Sequence, residues 1–549
     1  MAKVSKNDLM FLPLGGANEI GMNVNLYHYK GKWLMIDLGA GFADEAFPGV
    51  SMIAPELSFI KENIDDFLGI VLTHAHEDHL GSVGYLWNEL QCPIYATELT
   101  AKVAEYKLSQ NKLNKDFKVN VVEKGGSFSV GPFDINFIQL THSIPEMNAV
   151  VLNTDHGKIV HTGDWKFDPD PVIGSPSDFE ALKALGNGDV LAMVCDSTNI
   201  FTEEHSGSEG GLQDSMAELI AAQDGLVVVT AFASNVARIK TIAKAAKAAG
   251  RKVAITGLSF IKMEGFARDC GYLDEISEFL TDKEIKNHPR NKLVVMATGS
   301  QGQWNAAAAK IINDEHQTIR LVPNDSFIFS SKVIPGNLKD ISKLHNRLAE
   351  KRIKLFTEKD HNIHVSGHPS RCELKEMYEM VKPKIAVPVH GEQVHIKEHA
   401  KLAREIGIEN VLEIQNGEMV RLAPNEPKSI RHVETGYYAV DGKLLQREDG
   451  DVMKTRRRLK KDGIIFTTII IQKNGKLPVM PSISTPGVLD EEEYADFIAG
   501  IEKQIAKMIN SLENKYDEDI YKSSRKIIKR EVHKLTGKRP LLEIQIVRI

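Results

Sequence analysis

The first 200 residues alternate short apolar runs with polar residues at their ends. Trp33-Leu34-Met35-Ile36 stops at Asp37, and residues 69–73 run into a histidine-rich stretch. Residues 137–140 stop at Thr141-His142, residues 158–162 at Gly163-Asp164, and residues 190–195 at Asp196. Short apolar runs of this kind predict strands, and the punctuation between them predicts turns. Acids and histidines at strand ends project from one edge of a sheet, where α/β and αββα proteins build their sites.

From about residue 212 the pattern becomes strand–helix–strand. Residues 225–230, 252–255 and 292–296 read as buried strands, and residues 239–249 as a helix of good formers closed by Gly250. This predicts a second α/β domain. Near residue 355 the earlier pattern returns: Ile363 leads to His364, and residues 385–389 end at His390. The chain is therefore expected to leave its first domain and re-enter it. Residues 463–549 predict two strands, 464–471 and 541–548, flanking charged helices. The expected organisation is 1–210, first part of the first domain; 211–354, inserted domain; 355–430, second part of the first; 431–460, a polar linker; 461–549, a C-terminal domain.

A length of 549 residues with 42% hydrophobic positions excludes a disordered or fibrous chain. The four cysteines, Cys92, Cys195, Cys270 and Cys372, form no CxxC pair, which fits a reducing compartment and argues against a cysteine zinc site. The densest apolar run, 464–471, is far shorter than the ~20 residues of a membrane span. With a polar N-terminus, this predicts a cytoplasmic protein with no membrane partner. Net charge is −6, but residues 451–549 hold 20 Lys+Arg against 14 Asp+Glu, a net of +6, leaving −12 for the rest. Basic runs at 454–461 and 522–539 suit a nucleic-acid-facing tail, although charge alone favours a solvated helix face.

The strongest chemical signal is Thr73-His74-Ala75-His76-Glu77-Asp78-His79, an HxHxDH cluster directly after a strand. Alternate residues 74, 76 and 78 would share one side of an extended loop. Imidazoles mixed with carboxylates suit Zn²⁺ first and Mn²⁺ second. The strand ends add His142, Asp164 and His390. We assign His74, His76 and His142 to one divalent ion, Asp78, His79 and His390 to another, and Asp164 as the bridge. Two such ions would lower the pKa of a shared water and clamp a phosphoryl oxygen. Asp37 and Asp196 would accept hydrogen bonds from the ligands. The catalytic set is then Asp78, Asp164 and His368, the histidine being the proton donor to the leaving oxygen.

The order Asp37, HxHxDH, His142, Asp164, His390 resembles the metallo-β-lactamase superfamily. His364-Val365-Ser366-Gly367-His368 and Pro388-Val389-His390-Gly391, beside the inserted domain, resemble its β-CASP nuclease branch. The start, Leu12-Pro13-Leu14-Gly15-Gly16-Ala17-Asn18-Glu19-Ile20-Gly21-Met22-Asn23, and the C-terminal domain are similar to those of the ribonuclease J family. The resemblance implies an αββα metallo-β-lactamase sandwich with an inserted α/β β-CASP domain and a small α/β C-terminal domain. It implies a metal-dependent ribonuclease, a 5′→3′ exonuclease on 5′-monophosphorylated single-stranded RNA with endonuclease activity, in mRNA decay and rRNA maturation. It also implies a homodimer or homotetramer, with RNA-degradation or ribosome-associated proteins as partners. Pro369 stands where the family has Ala. Some relatives hold a structural Ca²⁺ near residues 47–51; Ser51 stands where an Asp is expected, so the resemblance does not carry that ion, or a role in it for Asp441, over to this chain.

With the resemblance, Phe232-Ala233-Ser234 and Ser330-Ser331-Lys332, at strand–helix turns, become candidate phosphate sites. Ser234, Ser331, His364, Val365, Ser366, Gly367 and His368 would grip the terminal phosphate and the scissile bond. The twelve other histidines are read as ordinary, although His395 and His399 share a helical face. Two rival readings remain: an ester or thioester hydrolase on the same metal core, and a non-catalytic RNA-binding partner subunit.

Overall fold

The computed structural model describes residues 5–334 and 336–549. Two sheets pack face to face. The first has eight strands, in the order Lys428–His432, Glu418–Ala423, Leu9–Gly15, Val24–Tyr29, Lys32–Ile36, Phe67–Val71, Ile94–Ala96, Val119–Val121. The second has seven, in the order Ser127–Val130, Phe133–Gln139, Asn148–Thr154, Gly157–His161, Val190–Asp196, Ile385–Val389, Asn410–Val411. Phe11, Tyr27, Leu34 and Ile36 of the first meet Phe137, Val150, Ile159 and Val194 of the second in one buried cluster. Strand alternation explains the outer layer. Ala192 and Val194 face the other sheet, while Met193 and Cys195 face the helices Phe179–Gly186 and Arg371–Val381 through Leu182, Leu185, Leu374 and Met377. A strand covered on both faces needs the unbroken apolar run seen at 190–195.

The inserted segment forms a five-stranded, all-parallel sheet: Lys252–Thr256, Leu293–Ala297, Val227–Thr230, Ser326–Phe329, Lys354–Phe356. It packs on the sandwich rather than standing apart. Helix Glu98–Gln110 contacts helix Leu258–Asp269, and Tyr272 donates to the buried Glu146 carboxylate at 2.7 Å. The chain divides into two compact units: residues up to Gly41 with Ala54–Gly436, and Phe42–Ile53 with Tyr437–Ile549.

Within the second unit, Ile464–Ile471 pairs in parallel with Leu541–Arg548 and antiparallel with Ser482–Ser484, a third strand the sequence reading lacked. Its core is almost all isoleucine, from Ile465 and Ile469 to Ile505, Ile509, Ile520 and Ile528. The expected linker at 431–460 is corrected. It holds the hairpin Tyr437–Asp441/Leu444–Arg447 and the helix Asp451–Asp462. Ala439 and Met453 are fully buried, so a few apolar positions suffice to fold a stretch whose composition is polar. Asp441 pairs with Arg456 at 2.6 Å, so a guanidinium meets that carboxylate. No helix of the described residues is long and apolar enough to cross a membrane.

Candidate metal centre

Strand direction brings the polar ends to one edge. Gly157–His161, Val190–Asp196 and Ile385–Val389 run parallel, so Asp164, Asp196 and His390 emerge together. Lys32–Ile36 and Phe67–Val71 are also parallel and deliver Asp37 and the HxHxDH cluster from the facing sheet. The cluster is not a fully extended loop, as the sequence suggested. Glu77–Leu80 is a short helix, with His76 as its N-cap residue and two acids in its first turn. Asp78 and His79 are therefore aimed by a helical turn, and only His74 and His76 by extended chain. Backbone bonds lock this turn in place: Leu38 N–H to His79 O at 2.7 Å, Ala40 N–H to Glu77 O at 2.9 Å, and Asn23 N–H to Asp78 O at 2.7 Å.

The predicted ligands come together in two sets, His74/His76/His142/Asp164 and Asp78/His79/Asp164/His390, each with its donor atoms within 4.8 Å of one another. Asp164 belongs to both. Oδ2 of Asp164 lies 3.1 Å from His79 Nε2 and 3.8 Å from His142 Nε2. His390 Nε2 lies 3.2 Å from Asp78 Oδ2.

Two buried atoms, His74 Nε2 and Asp164 Oδ1, have no hydrogen-bond partner. Orphaned buried polar atoms are costly unless something binds them. Their place among imidazoles and carboxylates fits divalent cations. Burial pushes His74 and His142 well below the usual imidazole range and His76 down to about 4, which keeps them in the neutral, ligating form. Burial opposes the charge on Asp164, yet His390, His79 and His368 together hold its carboxyl well below the usual range.

Supporting contacts fix the rings. Asp37, fully buried, accepts from Thr73 N–H and Oγ1 at 2.8 Å each and lies 2.6 Å from His79 Nδ1, which turns Nε2 of that ring toward Asp164 Oδ2 at 3.1 Å and the Asn23 side-chain amide at 3.0 Å. His142 Nδ1 lies 2.5 Å from the Gly367 carbonyl oxygen. A Cβ at Gly367 would come within 2.9 Å of His142 Nδ1, so only glycine allows this approach. Asp196 holds His368 Nδ1 at 2.8 Å and accepts from Thr198 N–H and Oγ1. The Thr198 hydroxyl in turn lies 2.6 Å from His390 Nδ1. The side chains of Asp78 and His368 keep 32% and 24% exposure, so the centre opens to solvent on their side.

The candidate phosphate residues are spread over three loops that Arg238 ties together. This fully buried arginine sits in helix Val236–Ala248 and forms a two-point ion pair with Glu209. Its Nη1 donates to Ser330 O and Oγ and to Ile363 O. Phe232, Ala233 and Ser234 precede that helix, whose N-cap is Asn235. Ser331 is buried, its hydroxyl 3.4 Å from Ser300 O. His364 Nδ1 is buried without a partner, and burial, then Arg238, Lys332 and Lys166, lower its pKa well below the usual value.

Ser366 Oγ bonds the N–H and carbonyl of His368, so it supports that residue's turn. Val365 and Gly367 lie between these residues. Pro369 is followed by Ser370, which forms a capping box with Glu373.

The sequence reading gave no role to Arg238, Glu209 and Thr198, which lie in no motif it used, nor to Thr73 and Asn23, which lie inside quoted motifs but beside the residues that carry them. Four histidines read as ordinary are buried in bonds: His28 with Asp8 O at 2.8 Å, His161 with Tyr27 at 2.9 Å, His316 with Thr256 at 3.0 Å, and His399 between Ser197 and Tyr378.

Comparison with known proteins gives a consistent pattern. Residues 20–230 match the metallo-beta-lactamase superfamily, 224–348 the ribonuclease J beta-CASP domain, 358–412 the Zn-dependent metallo-hydrolase RNA specificity domain, and 451–549 the ribonuclease J C-terminal domain. The chain is 37% identical to ribonuclease J of Sinorhizobium meliloti, over 99% of this chain and 98% of that protein. It is 34% identical to ribonuclease J 1 of Streptococcus pyogenes, over 93% and 92%. Among solved structures, a protein of unknown function from Enterococcus faecalis shares the fold, with TM-score 0.52 and 14% identity, covering 75% of this chain and all of that one.

Proposed function

The chain belongs to the ribonuclease J family and is a metal-dependent ribonuclease, and on that premise we propose that it degrades single-stranded RNA 5′→3′ from monophosphorylated ends. The observation that carries the metal chemistry is the pair of ligand sets sharing Asp164, with His74 Nε2 and Asp164 Oδ1 left without hydrogen-bond partners. Two ions there, Zn²⁺ first and Mn²⁺ second, would activate water and neutralise the phosphoryl oxygens.

The chain's own residues do the rest. Asp37, Thr73 and Thr198 orient the ligand rings. Asp196 holds His368 by Nδ1, leaving Nε2 to give a proton to the leaving oxygen. Burial opposes a charge on His368, but Asp196 and Asp164 outweigh it and raise its pKa. His364, under the influence of Arg238, Lys332 and Lys166, would be a donor for a terminal monophosphate, with Ser234 and Ser331 on the two other loops that Arg238 ties to it. Internal cleavage at the same centre, roles in mRNA decay and rRNA maturation, a cytoplasmic location, a homodimer or homotetramer, and partners among RNA-degradation or ribosome-associated proteins complete the proposal.

The test is a time course on RNA labelled at each end, with triphosphate, monophosphate and hydroxyl 5′ forms compared. Mononucleotide release from the 5′ end, fastest with the monophosphate, is expected. Release from the 3′ end, or indifference to the 5′ group, would overturn the polarity.

A further inference from the structure

Trp304 is 81% exposed, whereas the other three tryptophans, Trp33, Trp87 and Trp165, are buried. It lies in the loop after strand Leu293–Ala297, at the C-terminal edge of the inserted parallel sheet. Ser331, after Ser326–Phe329, and Ser234, after Val227–Thr230, emerge from the same edge.

The loop is pinned. Gln301, 3% exposed, donates from Nε2 to Lys332 O at 2.8 Å and accepts from Ile334 N–H at 2.9 Å. Gly299 and Gly302 both have positive φ, at 109° and 79°, and a Cβ on Gly299 would meet Ala306 Cβ at 2.6 Å. Three residues of chain span at most ~11 Å. The Trp304 Cα is thus held within that distance of the Gln301 Cα, and Gln301 bonds the backbone oxygen of Lys332, which bears electrostatically on His364.

A large aromatic face left in water, on a loop that Gln301 bonds to the backbone of the exposed Lys332, has the makings of a base platform. Unpaired bases stack on aromatic side chains, and the sugar-phosphate chain follows the cations. We propose that Trp304 stacks a base of the bound single strand and so helps hold the substrate on the inserted domain. This rests on the ribonuclease reading above and adds a substrate-contact residue outside the metal centre and the phosphate loops.

The single exposed indole supplies its own readout. Full-length, metal-loaded protein is titrated with a 5′-monophosphorylated RNA oligomer carrying phosphorothioate linkages, which slow turnover, and with an abasic oligomer of equal length. Tryptophan fluorescence should be quenched by the first and unchanged by the second, and Trp304→Phe should abolish the quench. Trp304→Ala should weaken binding of the base-bearing oligomer roughly 5- to 100-fold, Trp304→Phe less, with binding of the abasic oligomer unaffected.

Unchanged fluorescence in a protein that binds and hydrolyses RNA, or wild-type affinity of Trp304→Ala, would overturn this inference alone. A concentration-dependent blue shift without RNA would make Trp304 an interface between copies and overturn it equally. Failure of the wild-type protein to bind RNA at all would remove the function reading with it.

Discussion

Asp164 joins the two ligand sets while one of its buried oxygens lacks a partner, so it is the residue least replaceable in the centre. Asp78→Ala and His76→Ala are expected to abolish hydrolysis and lower metal content while leaving far-ultraviolet circular dichroism unchanged, because these side chains lie outside the sandwich core. Normal turnover by a metal-free Asp78→Ala protein would refute the assignment. Asp37→Asn should reduce metal affinity about 10- to 100-fold by losing the acceptor that orients His79. At the candidate phosphate loops the structure separates two residues that are neighbours in sequence. Ser366 commits its hydroxyl to the turn of His368, so Ser366→Ala should slow cleavage of monophosphorylated and circular RNA alike. His364→Gln should selectively lose the monophosphate preference proposed above. A lost charge-assisted bond costs about 1.5–3 kcal/mol, or roughly 10- to 100-fold in relative rate on the two substrates.

At the scale of elements, the helical turn Glu77–Leu80 and the irregular segment at residues 363–368 set the geometry. A Cβ at Gly367 would press on His142, so Gly367→Ala should displace that ring and reduce bound metal. Metal analysis of the purified variant checks this, and full occupancy would refute it. Helix Val236–Ala248 carries the Arg238 guanidinium that joins Glu209, Ser330 and Ile363. Removing one partner of a buried pair leaves an uncompensated charge, at a cost of about 3–5 kcal/mol. Glu209→Ala should therefore lower unfolding free energy by about that amount in urea titrations, and a loss below about 1 kcal/mol would contradict the burial. The strands were readable beforehand because their apolar runs are short and bounded. The turn at 77–80 was not, since four residues carry no helical period and the backbone bonds from Leu38 and Ala40 that hold it come from a distant loop.

For the whole molecule, a bound cation stabilises only the folded state, by about 2.7 kcal/mol at a hundredfold excess over its Kd. Chelation should lower the Tm of the wild-type protein and leave Asp78→Ala nearly unchanged. The ligating imidazoles must be neutral, so protons compete with the metal as pH falls. Burial keeps His74, His76 and His142 neutral, whereas at His79 and His390 Asp164 and the neighbouring carboxylates outweigh burial and favour the proton, so the set Asp78, His79 and His390 should lose its stabilising ion first on acidification. Equal chelator effects on both proteins would exclude this centre as the stabilising site. The second unit carries most of the basic C-terminal stretch and no candidate ligand cluster among its described residues. Truncation at residue 462 should lower the sedimenting mass and the activity on long RNA. Unchanged sedimentation and activity would remove the C-terminal domain from assembly.

By itself, the sequence determined the sandwich strands, the insertion and return of the chain, and the seven ligand candidates. Those depend on local period and on residue types that only metal chemistry brings so close together. What it left open depended on contacts between remote segments. Arg238 sits in a helix whose sequence marks no single residue as buried, and only the return of Ile363 and the carboxylate of Glu209 make its position interior. The stretch at 431–460 looked like a linker because its composition is polar, yet Ala439 and Met453 find buried places that no local period announces. Tertiary structure also decided that Ser366 serves His368 and that Trp304 alone of the tryptophans faces water, because exposure is a property of what packs nearby rather than of the residue.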